Sequence, residues 1–169
     1  MQSVRVVAAV AAALAVALGA GLGVKASGVP QRAPSVAYTL LDGQRSTTDR
    51  LRGKVVLVNF WATSCAACVH EMPQLAATYE KYKGRGYETL AVAMRYDPPA
   101  SVIRYAETRK LPFGVVIDNT GAVARSFGNV EATPTSVLIN KRGEIVQRFI
   151  GTPDFAQLDA LVEKLLAEA

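Results

Sequence analysis

A chain of 169 residues has room for one domain of ordinary size plus an appendage. Half of its residues are apolar and a fifth are charged, proportions that exclude a disordered chain and suit a packed core. The formal charge of +5 falls to +3 without Arg5 and Lys25, and no basic run exceeds two residues, a solvated surface rather than a nucleic-acid-binding one.

The N-terminal stretch Met1-Gln2-Ser3-Val4-Arg5 is followed by nineteen uncharged residues, Val6 to Val24, rich in Ala, Val and Gly. As a helix they would cover roughly 28 Å, enough for a bilayer core, and Arg5 suits an orientation with the N-terminus inside. Val24-Lys25-Ala26 also offers small residues for cleavage after Ala26. Residues 1–26 are read as a membrane anchor, with a cleaved export signal as the alternative. Either puts the domain outside the cytoplasm, in the periplasm at the inner membrane if the anchor is kept. No cysteine lies near the segment, so lipoprotein anchoring is excluded.

Residues 27–35, with Gly28, Pro30 and Pro34, read as a linker to a domain spanning 36–169. Residues 37–41 and 44–46 around Asp42-Gly43 predict a small hairpin. Lys54 to Phe60 is a continuous, β-branched apolar run, as in a strand buried on both faces of a parallel sheet. From Cys65 the period changes: Cys65, Cys68, Met72, Leu75, Tyr79 and Tyr82 mark one face of a helix that Gly84 and Gly86 end and Pro73 should kink. Thr89 to Met94 predicts a second buried strand. Asp97-Pro98 predicts the cap and first turn of a helix ending near Leu111-Pro112. A strand (113–117), a turn and a short helix (122–127) come next. Strands at 136–139 and 144–150 form a hairpin, and Thr152-Pro153 should cap a last helix with an apolar stripe from Phe155 to Leu166. This order predicts an α/β domain, a central mixed sheet with helices on both faces.

The only two cysteines stand three positions apart where strand gives way to helix. A thiol in the first turn of a helix lies at the positive end of the backbone dipole, which favours thiolate. Its mate one turn on can close a short disulfide. Two cysteines are too few for a disulfide scaffold, and a loop this short restricts the unfolded chain little, so the pair is assigned to thiol–disulfide exchange. Cys65 is the expected nucleophile and Cys68 the more buried resolving thiol. A zinc site wants four ligands, and His70 is the only histidine, so no metal is expected.

The Phe60-Trp61-Ala62 lead-in, the Cys65–Cys68 pair, Pro73 and Thr133-Pro134-Thr135 resemble the thioredoxin superfamily. Cys68-Val69-His70-Glu71-Met72-Pro73 and the N-terminal segment resemble its exported TlpA/ResA branch, and the likeness runs from about Val36 to the C-terminus. The resemblance implies a thioredoxin-like fold and a redox-active Cys65–Cys68 disulfide. It implies a cis Thr133-Pro134 bond against that disulfide, with Trp61, Thr133 and Pro134 contacting substrate and Thr133 offering backbone groups to an extended segment. It also implies a role for Glu71 in handling protons between the thiols, although as an ordinary helix glutamate Glu71 would be solvated. The expected partners are client proteins with disulfides, such as apocytochromes awaiting haem or copper-site proteins, and a membrane thiol-reductant conduit. No cofactor or nucleic acid is expected, and the chain is expected to be a monomer.

Several residues depart from that pattern. Asn59 stands where cytoplasmic thioredoxins carry a buried acid, Ser64 where a tryptophan usually precedes the first cysteine, and Ala66-Ala67 lacks the frequent proline. His70 could stabilise a thiolate but should point to solvent. Three other activities compete with disulfide reduction. Dithiol oxidation uses the same chemistry at a different potential. Peroxidase activity is disfavoured because Thr63 is two rather than three positions before Cys65. A copper chaperone would want wider cysteine spacing and a distant histidine.

Overall fold

Val55 to Trp61 pair with strands on both sides and have no exposed residue, as their unbroken apolar, β-branched run requires. The structure, a computed structural model, describes residues 31–168; the expected anchor, residues 1–26, lies outside them. The elements are β1 (Ala37–Thr39), β2 (Arg45–Thr47), β3 (Val55–Trp61), α1 (Ala66–Tyr82), β4 (Tyr87–Ala93), α2 (Pro99–Arg109), β5 (Gly114–Ile117), α3 (Ala122–Ser126), β6 (Thr135–Ile139), β7 (Ile145–Ile150) and α4 (Phe155–Ala167). No helix among the described residues is long and apolar enough to cross a membrane.

The main sheet has the order β5-β4-β3-β6-β7. β3, β4 and β5 are mutually parallel, whereas β6 runs antiparallel to β3 and β7 antiparallel to β6. This is the expected mixed sheet. Two crossovers of the usual right hand that step in one direction leave their helices on one face. Accordingly α1 and α2 share a core with α4 through Leu57, Trp61, Ala91, Val115 and Leu138. The alternate residues Val56, Val58, Phe60, Val92 and Val137 face the other way, against α3 and Tyr38 of the small β1–β2 hairpin. Each buried Val or Leu contributes roughly 1.5–3 kcal/mol, so β3 is a rigid floor for whatever its carboxyl end carries.

Three local expectations are corrected. Residues 31–35, assigned to the linker, lie on the domain: Ile145 N–H donates to the Gln31 carbonyl, and Ala33 N–H to that of Gly143. Prolines had suggested a free linker, but they do not stop alternate residues from pairing. Asp97 does not cap α2, because the cap position falls one residue later, on Pro98. Thr152 does not cap α4; Asp154 does, its carboxylate accepting from the Ala156 and Gln157 N–H groups. Pro73 lies inside α1, which continues through it to Tyr82.

Candidate active site

The sheet register brings three loops to one edge. Trp61 is paired with Ala93 at the carboxyl ends of β3 and β4, and Phe60 with Thr135 at the start of β6. The chain before Cys65, the turn after β4 and the Thr133-Pro134 loop therefore leave the sheet together. Sites in open α/β sheets collect at this end of the parallel strands.

Cys65 is the N-cap of α1, with extended backbone, and its Sγ accepts the Cys68 N–H at 3.2 Å. That N–H is one of the donors a helix start leaves without an intrahelical partner, and it would stabilise a thiolate at the same atom. Cys65 is half-buried, whereas Cys68 is fully buried. The two are joined as a disulfide with Cα atoms 5.3 Å apart. His70 is exposed. Among the described residues no three His, Cys, Asp or Glu side chains gather in a way that would hold a metal ion.

Behind Cys68, one helical turn on, Glu71 is fully buried rather than solvated. The Asn59 amide donates to Glu71 Oε1 at 2.9 Å and to Ser136 Oγ at 3.0 Å, and Asn59 and Ser136 are register partners across β3 and β6. So the residue standing where relatives of the fold keep an acid is the hydrogen-bond donor to this one. Glu71 Oε2 and Asn59 Oδ1 make no hydrogen bond. Burial pushes the Glu71 carboxyl above its ordinary range, and the Asn59 amide and Thr152 hydroxyl draw it only part of the way back.

Before Cys65, Asp97 plays a part that sequence reasoning missed. It is buried, and its Oδ2 accepts the Thr63 N–H at 2.6 Å while its Oδ1 accepts the Thr63 hydroxyl at 2.5 Å. The Met94 N–H donates to the Trp61 carbonyl at 2.9 Å, which ties the same two loops again. The turn that presents Cys65 is thereby fastened to the end of β4. A signal was available in a threonine just ahead of the cysteines and an acid just past the second parallel strand.

Trp61 is corrected as a substrate contact. It has no exposed surface, and its ring packs on Tyr105 with centroids 5.2 Å apart. It belongs to the floor beneath the site because it is still within β3, on the side covered by α1 and α2. The exposed aromatic at this edge is Tyr96, with 55% of its surface open and its Oη 3.3 Å from Thr133 Oγ1. Thr133-Pro134 is cis, as the resemblance implied. Pro134 is buried and its carbonyl accepts the Gly151 N–H. The Thr133 N–H and C=O make no hydrogen bond among the described residues.

Comparisons with known proteins place the whole domain among relatives. The family profile named Redoxin matches residues 28–162. The chain is 37% identical over 140 residues to thiol-disulfide oxidoreductase ResA of Geobacillus kaustophilus, covering 83% of this chain and 79% of that one. It is 34% identical to ResA of Bacillus anthracis over 137 residues, 81% of this chain and 78% of the relative. A crystal structure of a thiol:disulfide interchange protein of the thioredoxin family from Chlorobium tepidum superposes with a TM-score of 0.75 at 27% identity, over 82% of this chain and 97% of that one.

Proposed function

The chain belongs to the Redoxin family and is a ResA-like thiol–disulfide oxidoreductase of the thioredoxin superfamily, and from that premise we propose that it is a disulfide reductase working outside the cytoplasm. The observation that carries the exchange chemistry is the asymmetry of the pair: Cys65 is reachable and held against a helix-terminal N–H, and Cys68 is sealed behind it.

In the reduced protein the Cys65 thiolate attacks one sulfur of a client disulfide. A mixed disulfide forms and the first client thiolate leaves. The Cys68 thiolate then attacks Cys65 Sγ, the mixed disulfide breaks and the second client thiolate departs. Two electrons pass to the client, and the Cys65–Cys68 disulfide remains to be reduced by a dithiol donor in the membrane. Cys68 is the thiol that needs help in losing its proton, since burial in apolar surroundings disfavours thiolate. Glu71, one turn away and itself shifted towards the protonated form, serves as its proton acceptor and returns that proton when the disulfide is opened again. Thr133 binds the extended client segment through its N–H and C=O, with Pro134 packed at the disulfide. Residues 1–26 tether the domain to the membrane, and the clients are proteins that need free cysteines for haem or copper.

Replacing the resolving thiol tests the order of events. Reduced Cys68→Ser in its own cells is expected to accumulate clients joined to Cys65, identifiable by mass spectrometry after release with a reductant. No adducts, or adducts undiminished by Cys65→Ser, would overturn the assignment. Equilibration with glutathione buffers tests the direction: a midpoint near the strongly oxidising end, about −120 mV, would replace reduction with dithiol oxidation.

A further inference from the structure

Two arginines that make no ion pair among the described residues lie at the disulfide end of this domain, apart from its ion pairs. Lys54–Glu88, Lys83–Glu80 and Arg142–Glu144 sit at the starts of β3 and β4, the end of α1 and the turn between β6 and β7, away from the disulfide. At the disulfide end, Arg95 follows β4 and Arg125 lies in α3, and neither makes an ion pair among the described residues. Their side chains nevertheless converge. A Cβ built on Gly121 would lie 2.9 Å from Arg125 Nη1 and 3.1 Å from Arg95 Cδ, and Gly121 has a φ of +70°. The positive φ favours glycine at this turn, and the two arginine side chains close over it. Arg125 Nη1 donates to the Thr120 carbonyl at 2.8 Å, so it is held at this turn beside the Arg95 side chain, and an anion seated there would meet positive charge from both residues.

The two arginines line a cavity of about 330 Å³ with Met94, Tyr96, Val130 and Glu131. Glu131, held by the Asn129 amide at 2.8 Å, makes no ion pair with either arginine among the described residues, so the two arginines and this one carboxylate leave the groove with a net positive charge. Tyr96 connects this groove to the redox site, because its ring lines the cavity while its hydroxyl meets Thr133 Oγ1. An amphipathic aromatic beside arginines is the usual make-up of a protein-binding hot spot.

We propose that this groove docks the segment of the client that flanks its cystine, and that the segment is acidic. A carboxylate a residue or two from the attacked cysteine seats between Arg95 and Arg125, and Tyr96 covers the adjoining backbone as it passes Thr133. The groove's continuity with Thr133 favours a polypeptide over a free anion. The inference rests on the proposed reduction of client proteins and names which clients are preferred.

The test uses the full chain and two cyclic disulfide peptides that differ only in Glu or Gln two residues from one cysteine. At low ionic strength kcat/KM is expected to be about fivefold higher for the Glu peptide, the ratio falling towards one at about 0.5 M salt. In Arg95→Gln/Arg125→Gln the ratio should drop to about one, and in Arg95→Glu/Arg125→Glu it should invert, which an unfolded variant cannot do. Arg50→Gln, at the opposite end, should keep the wild-type ratio. Fluorescent versions of both peptides with serine for cysteine read binding to the same proteins without turnover. Equal binding of the two peptides by the wild type, or a preference that survives in the double variants, would overturn the groove. Failure to reduce even bis(2-hydroxyethyl) disulfide would instead overturn the reductase reading, with the groove still decided by the binding ratio.

Discussion

Asp97, ahead of the Cys65–Cys68 turn, and Glu71, behind it, are both carboxyls with almost no exposed surface, yet their surroundings differ in kind. Asp97 has both oxygens engaged by one residue, Thr63, through a backbone N–H and a hydroxyl. Glu71 has one oxygen engaged by Asn59 and the other without a close hydrogen bond, with only the Thr152 hydroxyl near enough to favour its charged form. A buried acceptor with both oxygens hydrogen-bonded is a fastening, since losing the side chain would break two contacts at once. A buried carboxyl with one oxygen so weakly satisfied is disfavoured as the carboxylate, which raises the pH at which it gives up its proton. The loop that carries the nucleophile is thus fixed from the front, and the compartment behind the resolving thiol is left able to titrate.

The sharpest way to break this contrast is to remove the fastening. Asp97→Ala takes away two hydrogen bonds to a carboxylate, each contributing about 1.5 kcal/mol, so the oxidised protein should lose about 3 kcal/mol in urea unfolding. Asp97→Asn keeps one acceptor oxygen and should lose about half of that. A loss within about 0.5 kcal/mol for both would show that the turn is held by the helix and the disulfide alone.

Much of the frame was legible in the residues. β3 and α1 announce themselves because their signals are local, an apolar run and then a stripe at helical spacing. The cysteine pair is legible for the same reason. Glu71 shows how such a signal is overlooked: Cys68, Glu71, Leu75, Thr78 and Tyr82 follow at spacings of three and four, and all are buried. The stripe thus contains a carboxyl and a hydroxyl that an apolar count passes over. Asp97 and Thr63 are 34 positions apart, and their meeting depends on the parallel register of β3 and β4, which no local pattern encodes. Trp61 was misplaced because a residue at a strand's carboxyl end can face the core or the site, and only the packing of Tyr105 decides it. The caps of α2 and α4 fall one or two residues later than expected, since Asp and Pro stand side by side at both starts, with Thr152 added at the second.

Glu71→Gln probes the other side of the comparison. With no group to take the Cys68 proton, exchange should slow about a hundredfold near neutral pH, equivalent to about 2.7 kcal/mol in the barrier. The deficit should shrink as the pH rises beyond about 8.5, the value of a free thiol, since a buried one ionises later; a deficit constant with pH would leave Glu71 a packing residue. Stability gives a second readout. Glu71 is raised in the folded chain, so between its unfolded and folded values the folded state binds more protons than the unfolded one. Its contribution is therefore most favourable at or below the ordinary glutamate value and is lost as pH rises through the folded value. Unfolding curves of Glu71→Gln and wild type should coincide near pH 4 and separate above it, the glutamine variant being the more stable.

The smallest expected effect separates the two bonds that Asp97 accepts. Thr63→Val removes the hydroxyl donor and keeps the backbone N–H, at a cost of about 1 kcal/mol in unfolding, and Thr63→Ser should restore it. If Asp97 positions Cys65 through this bond, the Cys65 thiol in reduced Thr63→Val, followed by thiolate absorbance near 240 nm, should ionise at higher pH than in Thr63→Ser, because Sγ drifts from the Cys68 N–H that stabilises the anion. Equal titrations in the two variants, with the stability difference intact, would confine Thr63 and Asp97 to holding the fold and leave the thiolate to the helix start.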